Sequence, residues 1–132
     1  METEIFLAFA TDNRSELSNE HFGSAKYYLI YQVDGNRLRF VKEIANTTPE
    51  EETHGDPKKA EGIGMLMKKN STYILVGKAM GPNITRMRKS FVPVISSISN
   101  ISRLIKKIEA EKINEILKEL KSNNEKNIVY IN

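Results

Sequence analysis

Ile5-Phe-Leu-Ala-Phe-Ala-Thr-Asp12 is the stretch on which the fold turns. An unbroken apolar run from Ile5 to Ala10 leaves a strand no wet face, so it predicts a strand covered on both sides, as in sheets flanked by helices. The run stops at Thr11-Asp12-Asn13, a turn-prone cluster. Next comes Ser18-Asn-Glu-His-Phe-Gly23, which holds His21, one of only two histidines in the chain. A side chain just past the carboxyl end of a strand stands where open α/β sheets bind their ligands, so His21 is the first candidate functional residue.

Further along, Tyr27 to Val33 is rich in aromatic and β-branched residues, Asp34-Gly35 supplies a tight turn, and Leu38 to Ile44 alternates in character. This pattern predicts an antiparallel hairpin. Asn46 to Lys59 is nearly devoid of apolar residues and reads as a surface loop. Asp56-Pro57 reads as N-cap and first helical residue, after which Ala60, Ile63, Leu66 and Met67 recur at helical spacing past Gly62 and Gly64. Tyr73 to Gly77 predicts a second covered strand, and Gly81-Pro82 a short helix reaching about Lys89. Phe91 to Ile95 is a strand that Pro93 should confine to an edge or an irregular segment. Ile101, Leu104, Ile105, Ile108, Ile113, Ile116, Leu117 and Leu120 mark one face of a long amphipathic helix at about residues 100–121. The tail Asn127 to Ile131 offers a last strand to a sheet edge, in the same subunit or a neighbour. Together these elements predict one α/β domain over residues 1–132, with a mixed sheet and helices on its faces.

Composition closes several routes. The chain has no cysteine, which excludes disulfides, thiolate nucleophiles and any zinc or iron-sulfur site built from its own thiolates. No apolar run approaches a bilayer span, and Met1-Glu-Thr-Glu4 is acidic where a secretory signal would be basic, so a cytoplasmic location is expected. The net charge of +3 is modest and no basic-aromatic pairing accompanies it, which points to a solvated basic face rather than to nucleic acid.

Four segments, in order, carry a resemblance to a known family: Ala8-Phe-Ala-Thr-Asp12, Ser18-Asn-Glu-His-Phe-Gly-Ser-Ala25, Tyr28-Leu-Ile-Tyr-Gln-Val-Asp-Gly35 and Val76-Gly-Lys-Ala-Met-Gly-Pro82. From about Ile5 to about Ile95 the chain resembles the dinitrogenase iron-molybdenum cofactor family, which includes NifX-like and NafY-like carriers and the carboxyl-terminal domain of NifB. The resemblance implies a three-layer, ribonuclease-H-like fold with a mixed five-stranded sheet and helices on both faces. It also implies a non-catalytic role, carrying an iron-sulfur or iron-molybdenum-type cluster that is supplied preassembled. Partners would then be cluster-assembly proteins or an acceptor enzyme, with no membrane and with a homo-oligomer open. On the family's pattern His21, in the His21-Phe22-Gly23 motif, is the cluster ligand, and Met80, Gly81 and Pro82 form the facing loop.

The chemistry of these residues suits such a role. One imidazole cannot assemble an iron-sulfur cluster without thiolates, but it can cap one built elsewhere. Its second nitrogen needs an acceptor, for which Asp12 and Glu20 stand close in sequence. His54, in the polar loop, is a second candidate ligand. Backbone amides of Asn83 and Ile84 after Gly81-Pro82 could attract an anion, with Lys78 and Arg86 adding charge. Plainer accounts exist: His21 and Phe22 could simply fix a loop, and Met80 could simply pack. Enzymatic readings fare worse. A ribonuclease-H-type nuclease needs several convergent carboxylates, yet the strand from Tyr73 ends in Gly77-Lys78, and no phosphate-loop, nucleophile-elbow or zinc-protease motif is present. Two other binding readings stay open: a metal-free interaction module using the carboxyl-terminal helix or an exposed strand edge, and a receptor for a small anionic metabolite.

Overall fold

A computed structural model of the chain describes residues 4–48 and 57–132. Six strands form one mixed sheet: β1 (Phe6–Thr11), β2 (Tyr27–Asp34), β3 (Arg37–Ala45), β4 (Thr72–Gly77), β5 (Val92–Ser96) and β6 (Val129–Ile131), in the order β3-β2-β1-β4-β5-β6. β1 lies inside the sheet, antiparallel to β2 and parallel to β4. Its apolar run is buried on both sides, Leu7 and Phe9 facing one layer and Ala8 and Ala10 the other. The expected hairpin forms one residue later than the Asp34-Gly35 reading. Asp34 ends β2, Gly35 takes φ 63, and Arg37 opens β3. Glycine at the first central position of a two-residue turn supplies that positive φ without strain.

The sheet has one strand more than the five implied by the resemblance, and the tail supplies it. β6 runs parallel to β5, pairing Val129 with Val94 and Ile131 with Ser96. Pro93 is consequently not on an edge. Its strand is flanked by β4 and β6, and the proline is tolerated because the β6 ladder begins one residue beyond it, at Val94.

α1 (Pro57–Lys69) packs Ile63 and Met67 on the face that carries Ala8 and Tyr28. The expected N-cap Asp56 and candidate ligand His54 lie outside the described residues. The helix expected after Gly81-Pro82 is a single turn, α2 (Ile84–Met87), starting later and ending sooner than its sequence suggested. The long amphipathic helix is continuous but not uniform: α3 (Ile101–Lys107), a π turn (Ile108–Lys112) and α4 (Ile113–Lys121) follow one another. Its apolar spacing explains this. The buried residues Ile101, Leu104 and Ile108 step by three and four, but the next, Ile113, comes five later. The wider turn absorbs the extra residue and keeps the stripe on the sheet. Asn100 caps α3, its side chain accepting from the Arg103 amide at 2.9 Å. At the other end the Lys126 ammonium donates to the Leu120 and Ser122 carbonyls, and the Asn127 amide donates to Glu119, which directs the chain into β6. The sheet is thus covered by α3 and α4 on one face and by α1 on the other, a three-layer α/β arrangement. No helix among the described residues is long and apolar enough to cross a membrane.

Candidate functional site

The loop leaving β1 is built largely from its own polar side chains. Thr11 donates its hydroxyl to the Glu16 carbonyl at 2.6 Å, and Asn13 accepts from the amides of Ser15 and Glu16. Asp12 accepts from the Ser18 hydroxyl at 2.8 Å and from the Lys26 amide at 2.9 Å, drawing the two ends of the loop together. Its place is in the frame of the site. These bonds fix the approach to His21, whose extended backbone (φ -58, ψ 154) leads into a 3-10 turn, Phe22–Ser24.

That turn is pinned from three sides. The Phe22 ring is fully buried with its centroid 4.8 Å from that of Tyr28, and the Tyr28 hydroxyl donates to the Phe22 carbonyl at 2.7 Å. The Phe22 amide donates to the Ala79 carbonyl at 2.8 Å, joining the turn to the loop after β4. Asn46, just past β3, donates to the carbonyls of Gly23 and Ala25 at 2.9 and 2.8 Å. Two carbonyls flanking Ser24 are thereby held by one amide. Burial, with a smaller contribution from the Asp12 charge, pushes the Tyr28 phenol well above its ordinary pKa, so it stays a neutral donor.

Across from the turn stands the segment from Gly77 to Pro82. Gly81 adopts φ 83, and a Cβ there would lie 2.8 Å from Nδ1 and 2.9 Å from Cγ of His21. Glycine is required twice over, by its backbone and by the imidazole lying against it. The Nδ1 flank of His21 is therefore walled by the facing loop. Beside the ring is a small depression of about 20 Å³, lined by His21, Lys59, Ile63, Met80, Pro82 and Met87 among others. That is room on the scale of one water, so a larger guest would sit over its mouth rather than within it.

The structure thus brings His21, Gly23, Met80, Gly81 and Pro82 together. His21 is half-buried at the mouth, Pro82 is exposed, and Met80 is almost wholly packed at 4% exposure. Phe22 faces the core. Of the two amides expected to attract an anion, that of Ile84 donates to the Gly81 carbonyl at 3.3 Å, in the turn that leads into the one-turn helix α2. Lys78 reaches back to Asn19 at 2.7 Å, and Arg86 binds the Asn83 side chain at 2.7 Å. Among the described residues no three His, Cys, Asp or Glu side chains cluster to hold a bare metal ion.

Two participants escaped the sequence reading. Lys59 lies in α1 yet lines the same depression as His21, and Asn46 braces the turn from the end of β3. Neither belongs to a motif; only the folded register brings them to the site.

The sequence profile described as dinitrogenase iron-molybdenum cofactor matches residues 3–123. The chain belongs to the dinitrogenase iron-molybdenum cofactor family. Two solved structures of similar fold are described as a "putative dinitrogenase", one by NMR from Methanococcus jannaschii and one a 1.70 Å crystal structure from Methanocaldococcus jannaschii. The first shares 19% identity at a TM-score of 0.59, covering 82% of this chain and 89% of that one. The second shares 20% identity at a TM-score of 0.60, covering 84% and 93%. No curated protein matches the chain by sequence. The family's name associates this member with nitrogenase-type cofactor chemistry, and its fold agrees with that of the two archaeal proteins.

Proposed function

We propose that this protein is a non-catalytic carrier of an iron-sulfur or iron-molybdenum-type cofactor, or of its precursor, held preassembled at the mouth of the depression through His21. The observation that carries the reading is the juxtaposition of the His21 ring with Gly81, a position where no side chain fits. Nδ1 lies against the facing loop, and in this reading the His21 imidazole is the one protein ligand that caps the guest. Met80 and Pro82 supply the neighbouring wall, and Phe22 and Gly23 hold the turn at the right height. A cluster with one open position would supply its own sulfides and remaining ligands; the protein contributes one imidazole and a fixed rim. The carrier would receive its cargo from cluster-assembly proteins and pass it to an acceptor enzyme, in the cytoplasm.

Anaerobic incubation of the purified protein with a synthetic thiolate-ligated cluster of four irons and four sulfides should leave iron bound after gel filtration. The His21→Ala variant should lose it. Equal retention by the two proteins would remove His21 from the mechanism. A metal-free interaction module is the second reading, favoured by Phe40 and Val41, which are 52% and 41% exposed on the β3 edge. It predicts that wild-type protein retains no iron.

A further inference from the structure

Between the loop that leaves β1 and the first turns of α3 lies an open groove of about 860 Å³. Its floor is Ile98, half-buried and packed against the aliphatic layer, and its rim is Arg103, Lys106 and Lys107. Glu16 is the one carboxylate in that lining among the described residues, and the Ser99 hydroxyl already donates to it at 3.4 Å. The backbone around the floor is fixed in advance. The Ser97 amide donates to the Ile131 carbonyl, the Ile98 amide to the Ser96 hydroxyl and the Leu17 amide to the Ser99 carbonyl, at 2.9, 2.9 and 2.8 Å. A surface already ordered loses little entropy on binding.

The cations on the rim do not serve the helix that carries them. Arg103 is the third residue of α3 after its cap Asn100, the position where a carboxylate would complete a capping box and offset the helix dipole. The first turn holds no acid. The helix's carboxylates come later and are engaged: Glu109 by the Leu38 amide, Glu111 by Lys107, Glu115 by Lys112 and Glu119 by the Asn127 amide. Among the described residues Arg103 and Lys106 enter no ion pair. Helix stability therefore does not account for their charge.

We infer that this groove docks an acidic segment of a partner protein, with an apolar side chain set on Ile98 and carboxylates on either side of it against Arg103 and Lys106. The apolar floor favours a peptide over nucleic acid, whose phosphates would leave Ile98 uncovered. Ile98 packs with the α3 face of the sheet and Phe22 with the opposite one, so a partner seated here leaves the mouth beside His21 open. Docking is independent of what His21 binds, and the intact chain without a cluster suffices to test it.

The probe is a capped synthetic peptide with a leucine between two pairs of glutamates, titrated while the amide resonances of Ser97, Ile98, Ser99 and Arg103 are followed. Those resonances should move saturably, and raising the salt from about 0.02 M to about 0.3 M should weaken the affinity several-fold. Arg103→Glu combined with Lys106→Glu should lower affinity about tenfold or more. The Tm of that variant should stay at or above the wild-type value, because the substitution at 103 supplies the missing capping carboxylate. Glu16→Gln should tighten binding about twofold, a gain that a merely structural role for Glu16 would not give. Glycine in place of the peptide's leucine should weaken binding, as an anchor on Ile98 requires. No movement of these amides in wild type, or equal affinity in the double variant, overturns the proposal. So does equal binding by a peptide with lysines in place of the glutamates, or a short oligothymidylate that moves the same amides more strongly than the peptide.

Discussion

On the face under α3 and α4 the sheet presents Leu7, Phe9, Ile74, Val76, Val92 and Val94 to Leu104, Ile108, Ile113 and Ile116. On the other it presents Ala8, Ala10 and Tyr28 to Phe22, Ile63, Met67, Met80 and Met87. The first layer is mainly branched aliphatic, closed by a continuous helical stripe. The second uses small residues, a hydrogen-bonded phenol and thioethers, and it ends at the rim where His21 stands. Aliphatic side chains fill space in few rotamers and contribute chiefly to stability, whereas short alanines leave room for the ring of Phe22 and for the turn it anchors. The contrast separates a layer that holds the fold from one that shapes a surface.

The harshest way to break this division is Leu104→Ala. That side chain is fully buried on the helix face, so its truncation should lower unfolding free energy by about 2–5 kcal/mol in denaturant titration. Iron retained per folded molecule should not change; if it fell, the two faces would not be separable. Gly81→Ala strikes the other face. A positive φ and a methyl pressed on the imidazole should cost about 1–3 kcal/mol and abolish iron retention at temperatures where the variant remains folded. Retention equal to wild type would mean that the facing loop does not orient the ring.

The smallest expected effect is that of Tyr28→Phe, about 1 kcal/mol from the lost bond to the Phe22 carbonyl. It also sharpens the comparison through pH. Burial raises the folded-state pKa of Tyr28 above that of the unfolded chain, where tyrosine ionises near about 10. Its neutral form is therefore favoured by folding at neutral pH, and stability should decline as pH rises past about 10 and the unfolded phenol ionises. Tyr28→Phe should flatten that alkaline decline in a pH series of denaturant midpoints. An unchanged slope would assign it to other groups.

Much of this was legible in the chain itself. The unbroken run Ile5 to Ala10 predicts a strand buried on both sides, Tyr27 to Ile44 predicts a hairpin, and the Ile and Leu spacing from Ile101 predicts the covering helix; each is a local periodic signal that tertiary packing reinforces. What failed was set by neighbours distant in sequence. Pro93 looked like an edge residue because the sequence does not show where the β6 ladder starts. The helix after Pro82 looked longer because nothing local shows Met87 and Phe91 packing into the core and ending it after one turn. At the site, His21 and the Gly81 loop were readable from motifs on two strand ends. Lys59 and Asn46 were not, since a lysine in a helix and an asparagine after a strand are ordinary residues until the sheet sets them beside Ser24.

The five-residue step between Ile108 and Ile113 has a consequence at the far end of the chain. In an uninterrupted α-helix, one residue more or less rotates everything downstream by about 100°, which would turn Lys112 toward the sheet and swing Ile116 aside. The wide turn works as a phase corrector. It keeps the downstream helix aimed so that Glu119 and Lys126 can steer the last residues alongside β5, and in this way a local irregularity mid-helix governs whether the sheet gains its sixth strand.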